Sequence, residues 1–516
     1  MISRGPLRAA AMVVASGLLS ACGVRYAEPT LQPPGQVQLG NGQPLALKVH
    51  MKSGELYVLD SWRVADETRT IEGHGTRYTA LRGKGETAAQ HIPMDAIALL
   101  ETSRARTTYP GGLQALAVMT TVFGSLAAIC VANPKSCFGS CPTFYAEGDA
   151  DAPQAEGFSA SIARSLEERD VDHLYRVRPT GRDLVLVMRN EALETHAVRS
   201  VRILALPRPR GGRVFASPDG RFHLARAALA PTQCDAAEGD CLAAVQAMDH
   251  RERTSLADGE DLAARETVDL VFPAVAGARG IVIGARQSLL TTFLLYQTMA
   301  YMGHQAGDWL AALERLPPTP PSRAFGLTRV LGGIDVQVTD DGTEWRTVGT
   351  FNEAGPLAGD VQVFPLAPSP ETAPTRVRLR MAKGNWRLDY VALASLGPEV
   401  APRVIEPRRV DRAGQRDDAA LEALRHDRYL VTVPGDAYRL TFALPDRSPG
   451  QDFELFLESR GYYYEWMRAE WLAEEDPAMV DLILTRPEDA LRQLAPAYKE
   501  REGAMEGSFW RSRFRR

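Results

Sequence analysis

Between residues 45 and 51, Leu45, Leu47, Val49 and Met51 alternate with Ala46, Lys48 and His50. Lys52, Ser53, Gly54 and Glu55 supply a turn, and Leu56, Tyr57, Val58 and Leu59 resume the run. A period of two broken by a Gly-containing turn predicts a β-hairpin, and runs at 77–82 and 92–101 extend it to a small β-barrel or meander over 42–105. Short apolar runs then recur at 183–190, 197–205, 213–216, 222–225 and 267–272. Their spacing suits a β-sandwich. At 287–302 the pattern changes to one apolar on most faces, which predicts a buried helix too short to be read as a membrane span. A further helical run over 309–316 is stopped by Pro317, Pro318, Pro320 and Pro321, which close a module over 143–316. Alternation returns at Ile334, Val336 and Val338, followed by a turn through Asp340, Asp341 and Gly342, then Trp345 and strands at 376–380 and 386–393. This marks a second β-sandwich over 325–397. Residues 398–516 read as a β-module, with strands in 428–442 and 453–466, that turns helical from Met467. The fold class expected is mainly β with helical insertions (α+β), in several domains: a small β-barrel, two β-sandwich-like modules and a C-terminal helical segment.

The chain opens differently. Arg4 and Arg8 precede an apolar run over 9–19, and small residues lead into Cys22, which is the layout of an export signal occupying 1–21. Residues 22–41, rich in Pro, Gly and Gln, read as a flexible tether. A second apolar stretch over 111–132, inside a 106–142 segment of apolar helix and Cys-rich loop, is long enough for a bilayer at 1.5 Å per residue. Its frequent Gly, Ala, Thr and Ser, and the lack of flanking aromatic residues, favour a buried helix or hairpin, with a membrane span as the alternative.

With 516 residues the chain is too long for one core. A formal net charge of -5 provides no basic field, so nucleic acid is not expected as a partner. In an exported protein disulfides are permissible. Cys234 and Cys241 enclose a polar loop and read as a disulfide-closed turn; Cys137 and Cys141 stand close enough to pair, leaving Cys130 over.

Leu19, Ser20, Ala21 and Cys22 resemble the lipobox of bacterial lipoproteins. The resemblance implies that Cys22 becomes the lipidated mature N-terminus, carrying palmitate-type acyl chains that anchor the protein to a membrane without a transmembrane helix. Gly23, where an Asp would resemble an inner-membrane retention signal, points to the outer membrane rather than the inner, with the body in the periplasm. The 325–397 module resembles the discoidin or galactose-binding-like β-sandwich, though without the cysteine pair of many discoidin domains. Residues 428–471 resemble a segment near the end of some large bacterial proteins with FG-GAP or tetratricopeptide repeats. Blocks at 134–145 and 453–471 resemble an uncharacterised family of bacterial lipoproteins, which implies a location and no chemistry.

A Gly-rich phosphate loop, a G-x-S-x-G elbow and an H-E-x-x-H pair are all lacking in the sequence, and no catalytic residue, metal site or cofactor is assigned. His173 and His196 lie near carboxylates and read as surface or capped residues rather than ligands. Cys137, Cys141 and Pro142 resemble the C-x-x-x-C-P of copper-delivery proteins, but in the wrong context, and a structural disulfide is the favoured reading. Arg460, Tyr462, Tyr463, Tyr464 and Trp466 form the densest aromatic patch. Exposed, such residues would anchor a glycan or an envelope protein; the favoured alternative is that they staple the last helix to the β-module. Two functions follow: a membrane-anchored, periplasm-facing lipoprotein with a binding or envelope-assembly role, or a periplasmic thiol-redox or copper-handling protein using Cys137 and Cys141.

Overall fold

The computed structural model describes residues 24–32, 47–51, 55–78, 84–108, 141–314 and 326–513, less a few short interruptions in these stretches. It is mainly β with several sheets and a helical C-terminal segment. The chain divides into two compact units, one ending at Gly124 and one beginning at Ser125.

In the first unit the expected hairpin forms between Leu47–Met51 and Leu56–Ala65, and Thr70–Tyr78 and Lys84–Pro93 continue the meander. Ile97–Thr108 then pairs with Leu47–Met51 on the far side. Four strand spacings of a flat sheet would separate Lys84–Pro93 from Ile97–Thr108 by about 19 Å, yet only the 3-10 turn Met94–Ala96 joins them. The sheet therefore curls, and Leu47, Val49, Leu59, Ile71, Ile92, Ile97 and Leu100 fill its interior. On the opposite side of the same strands Lys48 Nζ lies 2.8 Å from Glu101 Oε1 and His50 Nε2 lies 3.3 Å from Oε2. Burial pushes the Glu101 carboxyl up, but Lys48 and His50 outweigh it and hold the carboxyl at about 2. One expectation needs correcting: part of the 22–41 tether is a strand, Val24–Gln32, paired antiparallel with Ile97–Thr108. As the last strand of the sheet it tolerates Pro29, whose missing N–H need not join a ladder. The 111–132 run lies outside the described residues. Among the described residues no helix is long and apolar enough to cross a membrane.

The second unit is organised by pairings that the linear order hides. Five strands, Arg213–Ala216, Phe222–Leu229, Gly277–Gln287, Asp360–Ser369 and Trp386–Glu399, close into a small barrel. Its interior takes Phe215, Ala225, Val282, Val361, Val363, Ala392 and Ala394. Space is tight there: a Cβ on Gly284 would come within 2.9 Å of Met248 Sδ and 3.0 Å of Tyr390 Cβ. Alternate residues Ile281, Ile283, Val391 and Leu393 point outward, which explains why these strands read as continuously apolar. They pack against a six-stranded sheet that includes Arg265–Phe272, Ile334–Thr339, Arg346–Phe351 and Thr375–Ala382. Trp386, 1 % exposed, meets Phe351 edge-on at 5.6 Å inside this core. Cys234 and Cys241 are joined by a disulfide across the hairpin Gln233–Ala236 and Gly239–Asp240, with Gly239 at φ +111° in the turn.

A second pair of sheets joins residues from both ends of this unit. Glu194–Pro209 pairs along its length with Gln451–Glu465, and Asp183–Arg189 pairs with Ala437–Ala443. In the latter, Leu184, Leu186 and Met188 sit opposite Phe442, Leu440 and Tyr438, so one buried apolar face is built from two distant segments. The barrel with its facing sheet is thus inserted between Glu194–Pro209 and Arg403–Ile405. The sheets consequently run across the boundaries expected near 316–325 and 397–398. The reason is physical: antiparallel strands need only complementary faces, and a strand's sequence does not name its partner.

Except for the helix over Asp418–Arg425, which packs on the strands Pro407–Arg412 and Glu194–Pro209, the helices gather in a layer of their own. α1, Leu290–Met302, follows directly from the barrel strand Gly277–Gln287 and is buried on nearly all sides, as its apolar pattern predicts. α2 is Ala306–Glu314 and α3 is Gly326–Leu331. α4, Asp418–Arg425, is capped by Asp417, which accepts from the Ala420 N–H. After the last long strand come α5, Ala469–Ala473, α6, Pro477–Thr485, and α7, Pro487–Arg511. Leu290, Phe293 and Leu294 of α1 share a core with Leu327, Met479, Ile483, Leu491, Leu494 and Tyr498. α7 is fixed to the barrel by charge. Glu506 lies 2.7 Å from Arg286 and also pairs with Arg387, while Glu252 holds Arg286 at 2.5 Å.

Candidate functional site

A cleft of about 530 Å³ opens between α1, α5 and α7. Thr292, Phe293, Tyr296, Gln297 and Ala300 line one wall, at offsets of four and eight residues that put them on one face of α1. Arg501, Met505 and Phe509 of α7 repeat that spacing on the other wall, and Trp471 of α5 closes the end. The gap exists because Ala300, Ala504 and Ser508 are short where the helices face each other. Tyr296 and Trp471 lie 6.0 Å apart, centroid to centroid. Against this apolar body stand a few polar groups. Gln297 Nε2 donates to Glu474 Oε2 at 2.8 Å, and Arg501 Nη1 reaches Gln297 Oε1 at 3.5 Å. Glu500 completes the rim. The Arg501 guanidinium lies 5.8 Å from the Phe293 ring, and among the described residues it forms no ion pair. An apolar cleft with a few convergent polar groups is the usual architecture of a small-ligand site.

The structure scatters the residues singled out from the sequence. Cys22, Cys130 and Cys137 lie outside the described residues. Cys141 is buried, and its Sγ donates to Glu156 Oε1 at 3.0 Å. Burial raises the Glu156 carboxyl to about 7, against the lowering effect of hydrogen bonds from Cys141 and from the backbone N–H groups of Leu357 and Ala358. The aromatic patch is not a surface. Tyr462, Tyr463 and Tyr464 are 0 % exposed and Trp466 is 2 % exposed. Their strand is paired with Glu194–Pro209 and covered on both faces. Tyr463 Oη donates to the Ser159 carbonyl at 2.9 Å, and Trp466 Nε1 donates to Thr195 Oγ1 at 3.0 Å. Arg460, at the surface, pairs with Glu167 at 2.8 Å. The residues therefore staple strands together, and only the neighbouring Trp471 reaches the cleft.

His173 and His196 are buried beside carboxylates, 3.2 Å from Glu454 and 3.0 Å from Glu194. Burial pushes the His173 imidazole below its ordinary value. Glu454 also accepts from Arg213 at 2.8 Å, and these partners overcome burial to hold its carboxyl at about 2. This network ties a strand of one sheet pair to the barrel. Among the described residues no group of three His, Cys, Asp or Glu side chains is placed to hold a metal ion. The cleft residues Gln297, Glu474, Arg501, Met505 and Phe509 were not singled out from the sequence. Their signal is faint: short residues at matching helical offsets on two helices separated by nearly two hundred residues.

No family model and no curated protein matches this chain.

Proposed function

We propose that the chain is a lipid-anchored protein of the bacterial envelope, its body facing the periplasm, that binds a small amphipathic ligand in the cleft between α1, α5 and α7. The lipobox-like sequence ending at Cys22 supports the anchor, and acyl chains there would hold the protein on the membrane without a spanning helix. The observation that carries the binding role is the cleft itself: an apolar body of some 530 Å³ with a guanidinium, two carboxylates and an amide at its rim. For the thiol or copper reading, Cys141 is the one candidate ligand within the described residues, and its buried sulfur already donates to Glu156. The test uses the neutral fluorophore N-phenyl-1-naphthylamine. It should bind the full chain at one equivalent, and Ala504→Trp, which fills the cleft from its rim, should abolish the signal while leaving the melting temperature within a few degrees. Equal binding by Ala504→Trp would refute the reading.

A further inference from the structure

The charges around the cleft go beyond a generic apolar pocket. Arg501 stands at its rim without an ion pair among the described residues, while Glu474 and Glu500 flank it. A ligand bearing only an anion would find Arg501 but meet two carboxylates, and a ligand bearing only a cation would find the carboxylates but meet Arg501. We infer that the cleft takes a zwitterionic single-chain amphiphile of the lysophospholipid type, its phosphate on Arg501, its ammonium on Glu474 or Glu500, and its acyl chain between α1 and α7. This inference rests on the proposal that the cleft is a binding site.

The dimensions agree. The lining residues span eight positions of α1, about 12 Å at the helical rise, with Phe293, Tyr296, Trp471, Met505 and Phe509 offering continuous apolar contact. A stretch of one acyl chain can lie along this wall, where the short side chains of Ala300, Ala504 and Ser508 leave room for it. Aromatic and Met side chains suit a flexible tail, because they are adaptable and polarisable. Arg501 suits a phosphate, because its planar fork donates two parallel hydrogen bonds. The amide of Gln297 bridges the two charge types, accepting from Arg501 and donating to Glu474. It thereby fixes the spacing between the anionic and cationic subsites.

The experiment is displacement of N-phenyl-1-naphthylamine from the full chain by three competitors with the same sixteen-carbon chain length, below their micellar concentrations: palmitoyl lysophosphatidylethanolamine, palmitate and hexadecyltrimethylammonium. The lysolipid should displace the probe at least about tenfold more strongly than either singly charged competitor, the loss of one charge-assisted contact being worth that factor. Arg501→Glu should weaken the lysolipid by about tenfold or more relative to whatever affinity that variant keeps for the neutral probe. Shortening the acyl chain by two methylenes should weaken it roughly tenfold again. Equal displacement by palmitate or by the trimethylammonium compound, or an unaltered lysolipid affinity in Arg501→Glu, would overturn the ligand class while the probe still reports a working cleft. If the probe itself fails to bind, or binds Ala504→Trp as well as the parent, the cleft reading falls and the ligand class with it.

Discussion

Replacing Glu156 with Gln should change how stability depends on pH. Glu156 ends the strand Pro153–Glu156, is 1 % exposed, and accepts from Cys141 Sγ at 3.0 Å and from the Leu357 N–H at 2.8 Å. Gly355 crosses so close that a Cβ there would lie 2.4 Å from Glu156 Oε2, so water has no approach from that side. Burial raises the folded-state value to about 7 from an ordinary 4.5. The folded protein thus keeps a proton that the unfolded chain has released. Below about 4.5 both states are protonated and the native contribution is complete; as pH rises from 4.5 towards 7 it is progressively lost, and above 7 the loss is constant. The separation of the two values corresponds to roughly 3 kcal/mol. A Gln cannot ionise, so Glu156→Gln should match the parent within about 1 kcal/mol at pH 4, a span within which a neutral isostere's hydrogen-bond differences fall. At pH 8 it should exceed the parent by roughly 3 kcal/mol. Urea unfolding followed by tryptophan fluorescence at several pH values reads this directly. Parallel stability profiles for parent and variant between pH 4.5 and 7 would refute the assignment of a buried, protonated Glu156.

Other outcomes follow from the same structure. Cys234→Ser or Cys241→Ser should lower stability by about 2.5 kcal/mol, the loop-closure value for a bridge this short, and peptide mapping of the parent should recover the two cysteines linked. Glu506→Ala leaves Arg286 and Arg387 with one carboxylate fewer and should cost about 2 kcal/mol; hydrogen exchange should rise over the second half of α7 and not in the barrel, and a uniform rise would contradict the docking role. Trp386→Ala should cost about 4 kcal/mol by emptying the contact between the barrel and its facing sheet, read by thermal unfolding; a loss below 1 kcal/mol would mean that core is not packed as described. Added Cu(I) should leave the melting temperature of the reduced protein unchanged, whereas a rise that disappears in Cys137→Ser would favour the thiol or copper reading.

Local features were legible wherever the physics is local. The hairpin at Leu47–Met51 and Leu56–Ala65 follows from period-two alternation and a Gly turn, α1 from apolar residues on most faces, and the Cys234–Cys241 bridge from a short polar loop between two cysteines. Pairing was not legible. Leu184 meets Phe442 across more than two hundred and fifty residues, and nothing in either strand specifies the other beyond an apolar face. Burial misleads in the same way at Tyr462, Tyr463 and Tyr464: three tyrosines beside an arginine suggest a surface, yet the strand lies inside the unit with both faces covered. The cleft escapes sequence reasoning because it is defined by what is missing. Ala300, Ala504 and Ser508 are ordinary helix residues until α1 and α7 are placed side by side.

The anchor is tested most directly by labelling cells that make the parent or the Cys22→Ala variant with a clickable palmitate analogue and fractionating their envelopes after a high-salt wash. A lipid-anchored protein should carry the label and sediment with the membranes, and Cys22→Ala should lose the label and be released. An unlabelled parent, or a Cys22→Ala variant that stays with the membranes after the wash, would contradict the lipid anchor and move the attachment to another part of the chain, with the apolar run at 111–132 the first place to look.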